Sequence, residues 1–233
     1  MGSQSYIFVF FVFIALLSES TSTLSKADKN AKKKDKATKN TKTEIDVAVT
    51  ADEILKNYMH VDFKEEKKFP NPTLGYVTPW NGHGYDVAKW LAHKFTHISP
   101  VWFQIVPKRD TEPPTCTIEG THDMDQGWIK DVRSNNSDIK IVPRFLFEKW
   151  SPPELQQLFG DELLQERCAK AVIDFLQRNK FDGGVVEIWI QVMSMSQGSA
   201  VRDLLHFIIN WAEMFQYKDQ QFILPVPPPL DAS

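Results

Sequence analysis

Five short apolar runs divide the second two-thirds of the chain: LGYVTPW (74–80), FTHISPVWF (95–103), IKIVPRFLF (139–147), FDGGVVEIW (181–189) and QFILPVPPP (221–229). Each is nearly continuous rather than alternating, the pattern of a strand covered on both faces. Between them lie helix-patterned segments, at Asp86 to Lys94, Asp123 to Ser134, Ser151 to about Arg178, and Ser199 to Tyr217. In the third, Ser151-Pro-Pro-Glu154 supplies a capping box with proline in the first turn, and Gly160-Asp161 marks a break. In the last, Leu204, Leu205, Ile208 and Trp211 fall near helical spacing. Alternation of this kind predicts an α/β fold with a parallel sheet and right-handed crossovers. Both a doubly wound sheet and an eight-stranded barrel fit. A dinucleotide site needs a G-x-G-x-x-G turn after the first strand. Asn81-Gly82-His83-Gly84, a turn signal, does not supply it. No phosphate-binding loop occurs either, so no nucleotide cofactor is expected.

The N-terminal third differs in kind. Tyr6 to Leu17 is an unbroken apolar run of twelve followed by mostly small residues to Thr23. That length suits the core of a signal peptide over residues 1–22 and is too short for a membrane-spanning helix. No transmembrane segment is expected once it is removed. Residues 24–43 hold eight lysines against two aspartates, a charge of +6. The whole chain of 233 residues carries −3, so the remainder carries −3 − 6 = −9. An acidic body argues against a nucleic-acid partner. The lysine-rich stretch has too little apolar surface to fold, and residues 23–70 are expected to be a disordered linker with one short helix. That helix is opened by Thr50 and Glu53 as a capping box. The folded unit is expected over 71–233. Asn135-Asn136-Ser137 is a glycosylation acceptor in a secreted chain. Two cysteines, Cys116 and Cys168, allow one disulfide or two free thiols. In a helix, Cys168 reads as a small buried apolar residue.

In parallel α/β folds, sites form at the carboxyl ends of the strands. Those ends are aromatic here, with Trp80, Trp102, Trp150 and Trp189. Flat rings at a shared rim suit the apolar faces of sugars, although any one of them could instead close the core. Side chains alternate along the fourth run, which puts Val185, Glu187 and Trp189 on one face. A lone Glu187 inside an apolar strand is either paired, with Arg144 on the third run as the candidate, or held protonated. On that third run Arg144, Leu146 and Glu148 share a face, making Glu148 a second rim carboxylate. The histidines lie in scattered contexts without metal-ligand spacing, and His97 reads as a core or strand residue.

Taken together, FDGGVVEIW, LGYVTPW and FTHISPVWF resemble glycoside hydrolase family 18, the chitinases, whose active-site strand reads D-G-x-D-x-D-x-E. The further stretches HDMDQGW and IVPRFLFE are most similar to its chitinase-like branch. The resemblance implies a (β/α)8 barrel truncated after about five strands, with residues 71–233 a fragment of it. Asp182 and Gly183 match the first motif positions; Val185 and Glu187 stand where the family has aspartates. Trp189 stands where it has the catalytic Glu. Tryptophan cannot donate the proton that glycoside cleavage requires. The resemblance therefore implies a secreted or lysosomal, non-catalytic protein that binds chitin-type oligosaccharides or bacterial glycolipid through Tyr76, Trp80, Trp102, Arg144, Glu148, Glu187 and Trp189. It also implies a scavenger-type, stabilin-like receptor as partner. The competing expectations are a weak hydrolase using Glu187 or Glu148, and a receptor-binding protein without a sugar site.

Overall fold

The computed structural model describes residues 49–58, 66–196 and 199–228. The apolar run at 6–17 and the lysine-rich stretch lie outside the described residues. Of the unit spanning Ser18–Glu66, residues 49–58 and 66 are described, and they hold helix α1 (Ala51–Asn57). The capping box read from sequence opens it: Glu53 N–H donates to Thr50 Oγ1 at 3.3 Å, and Thr50 N–H to Glu53 Oε2 at 2.9 Å.

The larger unit is built around two hydrogen-bonded ladders. In one, β1 (Leu74–Val77), β2 (His97–Pro100) and β5 (Lys140–Ile141) lie parallel in that order. In the other the order is β4 (Thr115–Glu119), β3 (Phe103–Lys108), β6 (Arg144–Phe147), β7 (Gly183–Glu187) and β8 (Gln221–Ile223), with only β4 antiparallel. Strand β2 runs on into β3, and β5 into β6, each after a two-residue interruption. The result is five parallel strands neighbouring each other in chain order. A doubly wound sheet reverses its strand order at a switch point; among the described strands there is no reversal, and the fold is part of a (β/α) barrel.

The helices are α2 (Gly82–Trp90), α3 (Gln126–Asn135), α4 (Pro152–Gly160), α5 (Glu162–Arg178), α6 (Trp189–Ser196) and α7 (Val201–Tyr217). Asn81-Gly82 is not a separate turn. Asn81 caps α2 by accepting from Gly84 N–H at 3.2 Å, so that helix starts four residues before the sequence reading placed it. The predicted break falls where expected, with Asp161 capping α5 through Leu164 N–H at 3.0 Å. At the start of α4, Ser151 N–H donates to Glu154 Oε2 at 2.8 Å. Hydrogen bonds from Arg109 and from Ser151 pull the Glu154 carboxyl down to about 2. Two elements were not read from sequence: the antiparallel strand β4, and α6, which starts where the fourth strand was expected to continue.

Strand alternation separates two apolar layers. Ile98, Phe103, Phe145 and Val186 face outward into the main core, against Trp128, Leu176, Phe207 and Trp211 from the helices. Val142, Val185 and Ile223 face inward, with Leu74 and Tyr76 packed on them. Cys116 on β4 is joined to Cys168 on α5 by a disulfide, Cα to Cα 4.9 Å. Cys168 is buried as expected, but as half of a cross-link rather than as a free apolar residue. Arg167 adds a second tie, its Nε–H donating to Pro114 O at 2.7 Å. Among the described residues no helix is long and apolar enough to cross a membrane.

Candidate functional site

Register determines which side chains share the barrel interior. Tyr76 stands opposite Ser99 in the β1–β2 ladder, and Leu74 opposite His97. Parallel partners point to the same face, so all four join Val142, Val185 and Ile223 inside. Arg144 is opposite Val185, and Leu146 opposite Glu187. Two further inward positions are thus Arg144 and Glu187, on the diagonal between neighbouring strands.

The two are ion-paired, Arg144 Nε–H donating to Glu187 Oε2. Their side chains keep 21% and 31% exposure, so the pair is partly solvated, and Glu187, the last residue of β7, carries it to the carboxyl end of that strand. A charge in this position needs a partner, and the structure supplies the one the sequence offered. Tyr76 lies close enough to feel both charges. Burial, with Glu187 adding and Arg144 opposing, pushes its phenol well above the usual range. Tyr76 therefore remains a neutral hydroxyl at any physiological pH. Ser99 was missed in the sequence. It is fully buried, and its Oγ has no hydrogen-bond partner among the described residues. A serine between Ile98 and Pro100 carries no local signal; only the register with Tyr76 reveals its direction.

The aromatic rim is not assembled as expected. Trp80, just past β1, is 77% exposed and free to stack on a ligand. Trp102 is 0% exposed. It packs edge-on against Trp128 and donates its indole N–H to Tyr85 Oη at 2.7 Å. The interruption between β2 and β3 falls at Val101 and Trp102, and Trp102 is seated in the main core. Trp150 is half-buried, its indole N–H donating to Ile105 O at 2.9 Å. Trp189 does not continue the strand. Strand β7 ends at Glu187, and Trp189 is the half-buried first residue of α6, packed against the core. Glu148 lies one residue beyond the end of β6 and is exposed. We expect Trp102→Phe to lower stability by about 1–3 kcal/mol, because it leaves Tyr85 Oη without its donor. Saccharide affinity should not change. Urea unfolding and a ligand titration on the same variant check both halves; a lost affinity at unchanged stability would return Trp102 to the rim.

At the opposite end of the strands, Asp182 is a structural residue. Its Oδ2 accepts from Ile141 N–H at 2.8 Å and from Arg133 at 2.9 Å, with Lys140 Nζ 3.6 Å from Oδ1. Gly183 follows with φ 153°. His97 bridges β2 and β8 across the interior, Nε2 3.0 Å from Gln221 Oε1, while Nδ1 lies 2.8 Å from Thr96 Oγ1. Burial lowers the His97 pKa below its ordinary value, against the Gln221 hydrogen bond and the Asp182 charge, with Lys140 adding to the lowering. An unfolded chain therefore takes up this proton first as pH falls through about 6.5. Stability is full above that pH and declines on acidification toward the folded value. The urea midpoint should fall between pH 8 and pH 5, and His97→Gln should flatten that slope. A midpoint that rises on acidification would contradict the assignment.

Asn135 ends α3 exposed, its Nδ2 donating to Lys89 O at 3.0 Å. Among the described residues no group of three or more His, Cys, Asp or Glu side chains is placed to hold a metal ion.

No family model matches the chain. Solved structures do. A chitinase from Chromobacterium violaceum superposes with TM-score 0.50 at 17% identity over 67% of this chain and 45% of its own. YKL-39, solved in the presence of chitooligosaccharides, superposes with TM-score 0.50 at 16% identity over 67% of this chain and 43% of its own. The fold is that of the family 18 chitinases. The chain spans less than half the length of the structures it matches, which agrees with five strands of an eight-stranded barrel.

Proposed function

We propose that this protein binds oligosaccharides at the carboxyl-end mouth of its partial barrel and does not hydrolyse them. The observation that carries the reading is the Arg144–Glu187 ion pair, which faces the barrel interior and is partly open to solvent. Guanidinium and carboxylate together offer both donors and acceptors to a sugar. Exposed Trp80 adds a flat apolar face. Cleavage needs a proton donor within hydrogen-bond reach of the leaving oxygen. The residue two positions beyond Glu187 is a tryptophan that opens a helix, and one oxygen of Glu187 is occupied by Arg144. Glu148 is exposed beyond β6. Chitin-type oligomers are the first ligands to test, by analogy with the chitooligosaccharides in the YKL-39 structure. The signal-like N-terminus and the Cys116–Cys168 disulfide support residence in the secretory pathway, where Asn135 could be glycosylated and a scavenger-type receptor met.

Titrating the intact chain with N-acetylglucosamine oligomers of increasing length tests the reading. Tryptophan emission should change saturably, more tightly for longer oligomers. Trp80→Ala should weaken binding about threefold to tenfold, the worth of one stacking contact. A flat response from a folded chain would remove the sugar site. Release of a chromogenic aglycone that Glu187→Gln abolishes would make the protein an enzyme.

A further inference from the structure

Resting on the saccharide-binding reading, the charge state of the mouth narrows the ligand class. Arg144 donates only its Nε–H to Glu187; Nη1 and Nη2 have no partner among the described residues. Glu187 keeps Oε1 open in the same way. The pair is neutral as a whole but not saturated. A sugar hydroxyl both donates and accepts, so two adjacent hydroxyls can take the free guanidinium donors and the free carboxylate oxygen at once. An anionic group would have to compete with Glu187 for Arg144 and lie against the carboxylate it displaced.

The surrounding loops point the same way. After β3 and β6, Arg109 and Lys149 are engaged by Glu154 and Glu119, with N–O distances of 2.7 Å and 2.6 Å. Asp110, Glu112 and Glu148 are exposed and have no cationic partner among the described residues, against Lys108 at the end of β3. The field over these loops is negative, which disfavours the approach of an anion.

We propose that the sugar unit seated on Arg144 and Glu187 is uncharged, held through adjacent hydroxyls, and that Glu187 sets this preference by cancelling the charge of Arg144. An N-acetyl group is not required for recognition. The preference is therefore reversible by one side-chain change: Glu187→Gln keeps an acceptor at the same place but leaves Arg144 a net cation.

Calorimetry at low salt on the intact chain tests this with three hexamers: a neutral glucose oligomer, its N-acetylglucosamine counterpart and an oligogalacturonate. The two uncharged hexamers should bind within about threefold of each other, and the anionic one at least about tenfold more weakly. In Glu187→Gln the ratio of anionic to neutral affinity should rise about tenfold or more. Arg144→Lys, which keeps both charges, should retain the preference for uncharged sugars. If Glu187→Gln fails to fold, the wild-type protein still decides the matter. Its affinity for the glucose hexamer should be insensitive to salt, as no net charge is neutralised on binding. Preference for the anionic hexamer, or an unmoved ratio in a folded Glu187→Gln, overturns the inference. Binding of the N-acetylated hexamer alone overturns it while leaving saccharide binding intact. Failure of all three to bind overturns both.

Discussion

Gly183→Ala unfolds this barrel or reduces its stability by at least about 3 kcal/mol. A Cβ built at Gly183 would lie 2.2 Å from Gln221 O and 2.6 Å from Gln221 N. Those atoms belong to the backbone of β8, so no side-chain rotation relieves the overlap. The φ of 153° is itself one that residues with a Cβ rarely adopt. The contact pairs Gly183 with Gln221 at the start of the β7–β8 ladder. Opening it detaches the last strand and also the Gln221 end of the His97 bridge. Gly184→Ala is the internal control. Its added Cβ meets the Phe145 ring at 3.0 Å, a side chain that can shift. Urea unfolding of the two variants should separate them widely; equal losses would mean that the close approach of β7 and β8 is not what requires glycine.

Removing the disulfide, as Cys116→Ala with Cys168→Ala, should cost about 4 kcal/mol. The cross-link closes 52 residues of chain, and the loss of loop entropy in the unfolded state scales with that length. It also fastens β4, whose one ladder partner among the described residues is β3, to α5 in the outer layer. The double variant should unfold at lower urea, and the wild type treated with reductant under denaturing conditions should match it. A loss below about 1 kcal/mol would mean that Arg167 and the β3 ladder hold the hairpin unaided.

The barrel was legible because its strands are buried on both faces and its helices are amphipathic, and both leave periodic marks. Where the chain departs from those periods the sequence misled. Asn81-Gly82 carries the chemistry of a turn and of a helix cap equally, and the structure uses it as a cap. The hairpin strand TCTIE is short and follows Pro113-Pro114, so no alternation announces it. In the site, Glu187 was legible because a single charge in an apolar strand must find a partner, and Arg144 was the nearest by register. Trp102 was not. A tryptophan at a strand end has the same sequence signature whether it faces solvent or the core, and the interruption after Pro100 decides between them. Trp189 was misplaced for a related reason: the apolar run continues through it while the backbone has already turned into α6. Asp182 and Gly183 were read as remnants of a catalytic motif. Their contacts show that the same two residues shape the floor, one by binding the Ile141 amide and Arg133, the other by admitting β8.

The most direct test of binding without cleavage is to saturate the intact chain with an N-acetylglucosamine hexamer, confirm occupancy by calorimetry, and weigh the recovered sugar by mass spectrometry after prolonged incubation. Saturable heat with the hexamer recovered whole is the predicted result. Recovery of shorter oligomers in proportion to protein and time would contradict it and assign Glu187 or Glu148 a catalytic part.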